Sequence, residues 1–175
     1  NSHDGIMVLN TKIKAGKKLS KIYKSISDTI FEIGLTPNRS DAMSHFGVAR
    51  DLRAALIHKG TKTELLTPSI SSFYVNSRTK KLNLNIDNFD LCPRFSGICI
   101  DNIKIDDSPE WLKSRLRSIG LSTINNVVDI TNYVLHEIGQ PLHAYDLDKM
   151  TSDHIHIKTF NEKISFTTLD GVKRS

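Results

Sequence analysis

The side chains best suited to chemistry on an ester or carbonyl group lie between residues 129 and 143. Asp129, Thr131 and Asn132 fall on a stretch with helical periodicity, and His143 follows shortly after that stretch ends. An imidazole can orient a water molecule or take a proton, while hydroxyl and amide groups donate and accept hydrogen bonds. This combination predicts a polar pocket in which His143 orients a water or a substrate, with Thr131 and Asn132 supplying hydrogen bonds.

A structural interpretation of His143 competes with this pocket. A histidine just beyond a helix can hydrogen-bond the last carbonyl groups, where the helix dipole favours a positive charge. Because histidines often serve structure rather than catalysis, spacing alone favours this capping role. Both interpretations place His143 close to the end of the preceding helix.

Two histidines on a predicted strand, His154 and His156, could share a metal ion because alternate residues of a strand lie on one face. No carboxylate or cysteine completes the set at the spacing of a zinc site. Cys92 and Cys99 lie on one segment predicted to be extended, too far apart to bridge each other. We therefore predict no metal site and two free thiols, which are typical of a reducing cytoplasm.

The element that must position the pocket is a helix over residues 127–138. Its apolar residues recur at helical spacing, and Ser122 can cap its start. Gly139 is expected to end it, because glycine adopts the left-handed conformation without a Cβ penalty. Pro141 prevents the helix from resuming. The chain is thus predicted to leave this helix abruptly and to present His143 on a loop.

An earlier helix is predicted over about residues 41–57. Ser40 or Asn38 can cap its start, and Gly60 ends it. Gly47 lies inside this helix and costs about 1 kcal/mol relative to alanine, so another segment is expected to pack closely against it.

A helix over about residues 109–119 is predicted from Ser108 as N-cap, Pro109 in the first turn and Gly120 at its end. A lysine-rich helix is predicted over residues 15–26. Strands are predicted at residues 5–9, 29–33, 74–75, 82–86, 94–105, 154–158 and 164–169, with a hairpin turn at residues 170–171.

Three groups of basic residues could contact RNA or a partner. Solvated faces, and for the arginines ion pairs within a helix, are the preferred interpretation, because such charges are common on helices. The groups are the lysines of residues 14–24, the set Arg39, Arg50 and Arg53, and the set Lys113, Arg115 and Arg117.

Composition is typical of a globular protein: 38% of the 175 residues are hydrophobic and 25% are charged. The net charge of +5 is compatible with an RNA partner without establishing one. No apolar run approaches the roughly 20 residues that span a bilayer, so no membrane association is expected. The polar residues 61–72 predict a linker, which divides the chain into domains at 1–67 and 68–175.

Two long segments resemble signatures of one protein family. TPNRSDAMSHFGVARDLRAAL at residues 36–56 and NNVVDITNYVLHEIGQPLHAYD at residues 125–146 are similar to segments of bacterial phenylalanyl-tRNA synthetase beta subunits. The resemblance implies that residues 1–67 hold the exit of a tRNA-binding domain and part of a B1-like domain. Residues 68–175 would then begin a B3/B4 editing domain that is incomplete at its C-terminus. The fold class expected is α+β, a small helical domain followed by a mixed α/β-sheet domain.

The resemblance also implies a function. Such enzymes are (αβ)2 tetramers in the cytoplasm that use ATP and Mg2+ to charge tRNA(Phe), with that chemistry in the alpha subunit. The beta subunit would hydrolyse mischarged Tyr-tRNA(Phe), with His143 catalytic and Thr131 and Asn132 binding substrate. No cofactor is expected on this chain itself. The alternative is a non-catalytic module that binds tRNA and the alpha subunit.

The chain departs from the family pattern in two respects. Some relatives carry an arginine where this chain has Ser122, which removes the basis for an RNA-positioning role there. Other pocket residues of the family would lie beyond Ser175. We therefore expect this chain alone to be inactive in both charging and editing.

Overall fold

The computed structural model describes residues 12–22, 27–168 and 171–174. Within these ranges it contains three α-helices and two small sheets, which confirms the predicted α+β class. The helices are α1 (His45–His58), α2 (Glu110–Ser118) and α3 (Asn126–Ile138). The strands are β1 (Asn83–Ile86), β2 (His154–Ile157), β3 (Phe166–Thr167) and β4 (Lys173–Arg174). Short 3-10 turns cover Leu19–Lys21, Ser40–Ala42 and Leu147–Lys149.

The predicted helices are present, but their starts differ from prediction. α1 begins after Ser44, whose side chain accepts a hydrogen bond from Gly47 N, rather than after Ser40 or Asn38. A 3-10 turn at Ser40–Ala42 occupies the residues that the prediction gave to the helix. α3 is capped by Asn125, which accepts from Val128 N, so Ser122 is not its cap.

The start of α2 also corrects a prediction. Pro109 rather than Ser108 occupies the N-cap position, and it supplies no side-chain cap because proline has no polar side chain. Ser108 is buried, and its hydroxyl donates to Asp129 and not to the start of α2. The ends agree with prediction, since Gly60, Gly120 and Gly139 follow the three helices with positive φ angles.

The two sheets lie in the C-terminal part. β1 and β2 are parallel, with Asn83 opposite His154 and Ile86 opposite Ile157. Both strands alternate exposed and half-buried residues, so their isoleucines and leucine lie on one side. β3 and β4 form the predicted hairpin, in which Gly171 N donates to Thr168 O.

Several predicted strands are wrong. Residues 29–33, 74–75 and 94–105 form no strand, although their apolar patterns alternate as in a strand. A strand forms only when a second strand hydrogen-bonds to it, and an alternating pattern does not show whether such a partner exists. The lysine-rich helix is reduced, within residues 15–22, to the 3-10 turn Leu19–Lys21. Residues 23–26, the predicted strand at 5–9 and residues 169–170 lie outside the described ranges.

The packed core lies between the helices. Helix α2 packs against α3, and Leu112 and Leu116 of α2 are 2% and 1% exposed. Trp111 and Tyr133 pack edge to face across the same pair of helices, with ring centroids 5.6 Å apart. Residues 61–70 contain no helix or strand, and the domain boundary there stays a prediction.

Candidate functional site

The predicted site residues lie on α3 and on the loop that follows it. Thr131 and Asn132 are half-buried on α3, and His143 is exposed between Gly139 and the 3-10 turn at Leu147–Lys149. The Thr131 hydroxyl donates a 2.7 Å hydrogen bond to Val128 O of its own helix. Its proton is therefore engaged, while its oxygen lone pairs can accept a hydrogen bond from a ligand.

His143 lies on the loop after α3, whereas the other two residues lie on the helix itself. Within the described residues no hydrogen bond joins it to Thr131 or Asn132, and its closest aromatic neighbour is Tyr145, with ring centroids 6.4 Å apart. The structure brings the three residues onto one element and its exit loop. It does not test their assignment to a substrate pocket, which stays a prediction.

The competing capping role belongs to a different histidine. His45 Nδ1, at the first residue of α1, donates a 2.9 Å hydrogen bond to the carbonyl oxygen of His136 in the last turn of α3. Gly139 N donates to Leu135 O at 2.8 Å. In the described part of the chain His143 makes no such bond, so its predicted capping role is wrong. His143 is left available to solvent and ligand.

A buried carboxylate fixes the start of α3. Asp129 is 0% exposed and accepts a 2.6 Å hydrogen bond from Ser108 Oγ and a 2.9 Å bond from Ile124 N. Its negative charge in the first turn of α3 also interacts favourably with the helix dipole. Sequence spacing placed Asp129 among the polar neighbours of the site, but it missed Ser108. No local pattern joins two residues that are 21 positions apart.

The groups beside Thr131 and Asn132 are also paired. The Tyr133 hydroxyl donates to Glu137 Oε1 at 3.3 Å. Burial raises the pKa of Tyr133 above its ordinary value of 10.0, and the negative charge of Glu137 raises it further. Tyr133 therefore stays protonated at neutral pH and donates rather than acting as a base.

An ion-pair cluster, which we call the α1 clamp, joins the 3-10 turn Ser40–Ala42 to α1. Arg39 pairs with Asp41 and Asp51, and Arg50 pairs with Asp41. The hydrogen bond from Arg39 lowers the pKa of Asp41, and that of Arg39 is raised in turn. Arg39 and Arg50 are therefore ion-paired, with Asp41 as the shared partner, but the pairs join the turn to α1 and do not lie within one helix as predicted.

The basic residues of α2 are paired as well. Lys113 contacts Asp107 at 2.9 Å, Arg115 contacts Asp28 at 2.8 Å and Arg117 contacts Glu110 at 3.1 Å. Each positive charge therefore has a neighbouring carboxylate, which weakens the field that the face presents to a nucleic acid.

His156 has a carboxylate neighbour that the sequence did not predict. Its Nε2 lies 2.8 Å from Asp87 Oδ1, and its ring centroid lies 6.0 Å from that of His154. The residues described contain no group of three or more His, Cys, Asp or Glu side chains suited to a metal ion. Cys92 and Cys99 are both free thiols, as predicted.

A groove of about 830 Å³ runs between residues 28–35 and the three helices. It is mostly apolar, and Phe31 beside it is 77% exposed. His45 and His136 lie at its wall, where α1 meets α3. Of the helices described, none is both long and apolar enough to cross a bilayer.

Comparison with known proteins identifies a family that matches the C-terminal part of the chain. Residues 91–175, which contain α2, α3 and the three predicted site residues, match the family described as the B3/4 domain. This part of the chain is similar to that domain family. The whole chain is similar to bacterial phenylalanine–tRNA ligase beta subunits, which confirms the resemblance seen in the sequence.

Three relatives define the extent of this similarity. The beta subunit of Bacteroides fragilis is 44% identical over 99% of this chain and 21% of its own length. That of Porphyromonas gingivalis is 46% identical over 99% of this chain and 21% of its own length. That of Carboxydothermus hydrogenoformans is 41% identical over 97% of this chain and 20% of its own length. The chain thus spans about a fifth of the length of these curated relatives.

Proposed function

We propose that this chain is a segment of a phenylalanine–tRNA ligase beta subunit and carries one wall of a site that hydrolyses mischarged Tyr-tRNA(Phe). One observation carries the proposal. The B3/4 match at residues 91–175 covers Thr131, Asn132 and His143, the polar residues that the sequence selects. The relatives span the rest of the chain as well, which supports a shared role for both parts.

The proposed reaction is hydrolysis of an aminoacyl ester. Water attacks the tyrosyl carbonyl carbon, a carbon–oxygen bond forms, and the bond to the terminal ribose oxygen breaks. The ribose oxygen takes a proton, and the products are tyrosine and uncharged tRNA. His143 orients the attacking water, and because the ester is labile, orientation supplies much of the required acceleration.

Asn132 and Thr131 supply complementary hydrogen bonds to the substrate. The amide of Asn132 both donates and accepts, whereas Thr131 accepts because its proton is held by Val128 O. A substrate hydroxyl, on the phenol ring or on the ribose, is the donor that suits Thr131. A site that hydrogen-bonds the phenol oxygen rejects phenylalanine strongly, since its polar groups would otherwise stay unpaired.

The full-length protein would act with partners. We propose an alpha subunit, tRNA(Phe) and an (αβ)2 assembly in the cytoplasm, with ATP and Mg2+ used in the alpha subunit. The two free thiols are compatible with that compartment.

A second candidate function is a non-catalytic module that docks the alpha subunit and tRNA, and it applies best to residues 13–65. The exposed apolar side chains of the groove favour it, with Ile30 at 65% and Phe31 at 77% exposure. Such residues beside a groove commonly mark a protein contact. If docking is their role, Phe31→Ser in the full-length beta subunit will reduce co-purification of the alpha subunit without slowing editing by the complex that remains.

The editing proposal is tested with the full-length beta subunit and its alpha subunit. We expect the complex to hydrolyse Tyr-tRNA(Phe) much faster than Phe-tRNA(Phe), and this isolated chain to hydrolyse neither at a comparable rate. Equal rates on the two substrates would contradict an editing function. Rapid hydrolysis by the isolated chain would contradict the expectation that other segments complete the pocket.

A further inference from the structure

The end of α3 is held by the beginning of α1, a segment from the other predicted domain. His45 and His136 are 91 residues apart in sequence and are joined by the 2.9 Å hydrogen bond from His45 Nδ1 to the His136 carbonyl oxygen. A carbonyl oxygen only accepts, so His45 Nδ1 carries the hydrogen. The bond therefore forms with either the neutral Nδ1–H tautomer or the imidazolium.

Gly139 lies against the same part of α1. A Cβ atom placed on Gly139 would lie 3.5 Å from Ser44 Cβ and 3.6 Å from Met43 O. Gly120 ends α2 with a nearly identical φ angle, 83° against 80°, yet nothing lies within 4 Å of the equivalent position there. The contact at Gly139 is thus a property of this helix end rather than of helix-ending glycines in general.

The contacting segment is itself firmly held. Ser44 caps α1 through Gly47 N, and the α1 clamp ties the preceding turn to the helix. Gly47 packs so closely on the backbone of Asp41 and Ala42 that a Cβ would overlap it. The start of α1 is therefore a rigid support for the end of α3.

The loop that carries His143 has few restraints of its own. Between Gly139 and Asp146, all of which the structure describes, the internal hydrogen bond is a 3.4 Å contact from Gln140 Nε2 to Pro141 O. The loop is anchored at its two ends, by Gly139 and by the Asp146 side chain that caps Leu147–Lys149. The direction in which the chain leaves α3 consequently controls where His143 lies.

We infer that His45, together with Ser44, is a positioning residue for His143, so that residues of the first predicted domain set the geometry of the editing site. This inference rests on the proposed function. His45 acts through the carbonyl of His136 and the packing at Gly139, and it does not contact substrate. Loss of its hydrogen bond lets the exit of α3 move and displaces His143 from the reacting ester.

The test uses the full-length beta subunit with its alpha subunit and measures single-turnover hydrolysis of Tyr-tRNA(Phe). Losing one hydrogen bond of this kind corresponds to about a 2- to 10-fold slower rate, so we expect that loss in His45→Ala and His45→Leu. In His45→Asn the amide nitrogen takes the place of Nδ1, and the rate is expected within about twofold of wild type. His58→Ala, an exposed histidine at the other end of α1, is the matched control and should not change the rate.

A double-mutant comparison with His143→Ala distinguishes a positioning role of His45 from a general effect on stability. In a His143→Ala background, His45→Ala should cost nothing further, because the residue it positions is absent. An unchanged rate in His45→Ala, no rescue by His45→Asn, or an equal loss in both backgrounds would overturn the inference. If His143→Ala alone leaves editing intact, the proposed site itself fails, and the positioning role fails with it.

Discussion

The hydroxyl of Ser108 donates a 2.6 Å hydrogen bond to Asp129 Oδ2, and both residues are buried, at 4% and 0% exposure. The bond joins Ser108, two residues before the start of α2, to the first turn of α3. Asp129 also accepts from Ile124 N, so one carboxylate fixes the start of α3 and the segment that leads into it. The helix that carries Thr131 and Asn132 is thereby held at its N-terminal end, as it is held at its other end by His45.

Ser108→Ala is expected to destabilise this part of the fold by about 1.5–3 kcal/mol, because it removes a hydrogen bond to a buried carboxylate. Denaturant unfolding of the full-length protein measures the loss, and hydrogen exchange localises it, with faster exchange expected at the Ile124 amide. Ser69→Ala is the control, since Ser69 is exposed and, among the described residues, its hydrogen bonds are to nearby Ser71. An unchanged Ile124 amide in Ser108→Ala would contradict this account.

Gly47→Ala is expected to destabilise the protein, although the same change stabilises most helix interiors by about 1 kcal/mol. A Cβ at this position would overlap backbone atoms of Asp41 and Ala42, and overpacking of this kind costs about 1–3 kcal/mol. The free energy of unfolding of the variant, compared with wild type, shows whether the change destabilises or stabilises the protein. Gly34→Ala, where nothing lies within 4 Å, is the control, and a gain in stability for Gly47→Ala would refute the close packing.

The pKa of Asp41 is lowered below its ordinary value of 3.8, first by the hydrogen bond from Arg39 and also by the charges of Arg39 and Arg50. The ionised Asp41 therefore stabilises the folded protein through these arginines. This contribution to the free energy of unfolding is fully present above pH 3.8, and it is lost as the pH falls through the lower pKa that Asp41 has in the folded protein. In Arg39→Gln the pKa of Asp41, followed by NMR titration of its carboxyl carbon, should rise toward 3.8. Arg53→Gln on the same helix should leave it unchanged, and an equal rise in both variants would show that Arg39 is not its specific partner.

Thr131 is expected to act as a hydrogen-bond acceptor. Thr131→Val keeps the side-chain shape and removes the oxygen, so hydrolysis of Tyr-tRNA(Phe) by the full-length complex should slow about 2- to 10-fold. Thr131→Ser keeps the hydroxyl and should retain most of the rate. Equal rates in the two variants would remove Thr131 from the substrate-binding residues.

Local patterns in the sequence predicted the helices and their glycine ends. Gly60, Gly120 and Gly139 follow the helices as expected, and β1, β2 and the hairpin lie where alternation placed them. These features depend on neighbouring residues, whose periodicity and turn chemistry the sequence contains. The predicted helix caps were wrong for all three helices, because Ser44, Pro109 and Asn125 take the N-cap positions.

Other errors concern contacts between distant residues. Residues 94–105 alternate like a strand but have no hydrogen-bonded partner strand, and pairing depends on the rest of the fold. The bonds of Ser108 with Asp129 and of His45 with His136 are likewise invisible to local patterns. For this reason the sequence selected the candidate residues Thr131, Asn132 and His143 but could not identify what holds them.

The most direct test of the central claim is hydrolysis of Tyr-tRNA(Phe) by the full-length beta and alpha complex carrying Asn132→Ala or His143→Ala. We predict that each variant loses about tenfold or more in rate, as expected when a group that orients the reactants is removed, while charging of tRNA(Phe) with phenylalanine is unchanged. Thermal melts matching wild type would exclude unfolding as the cause. Undiminished hydrolysis of Tyr-tRNA(Phe) in both variants would contradict the assignment of these residues to the editing site.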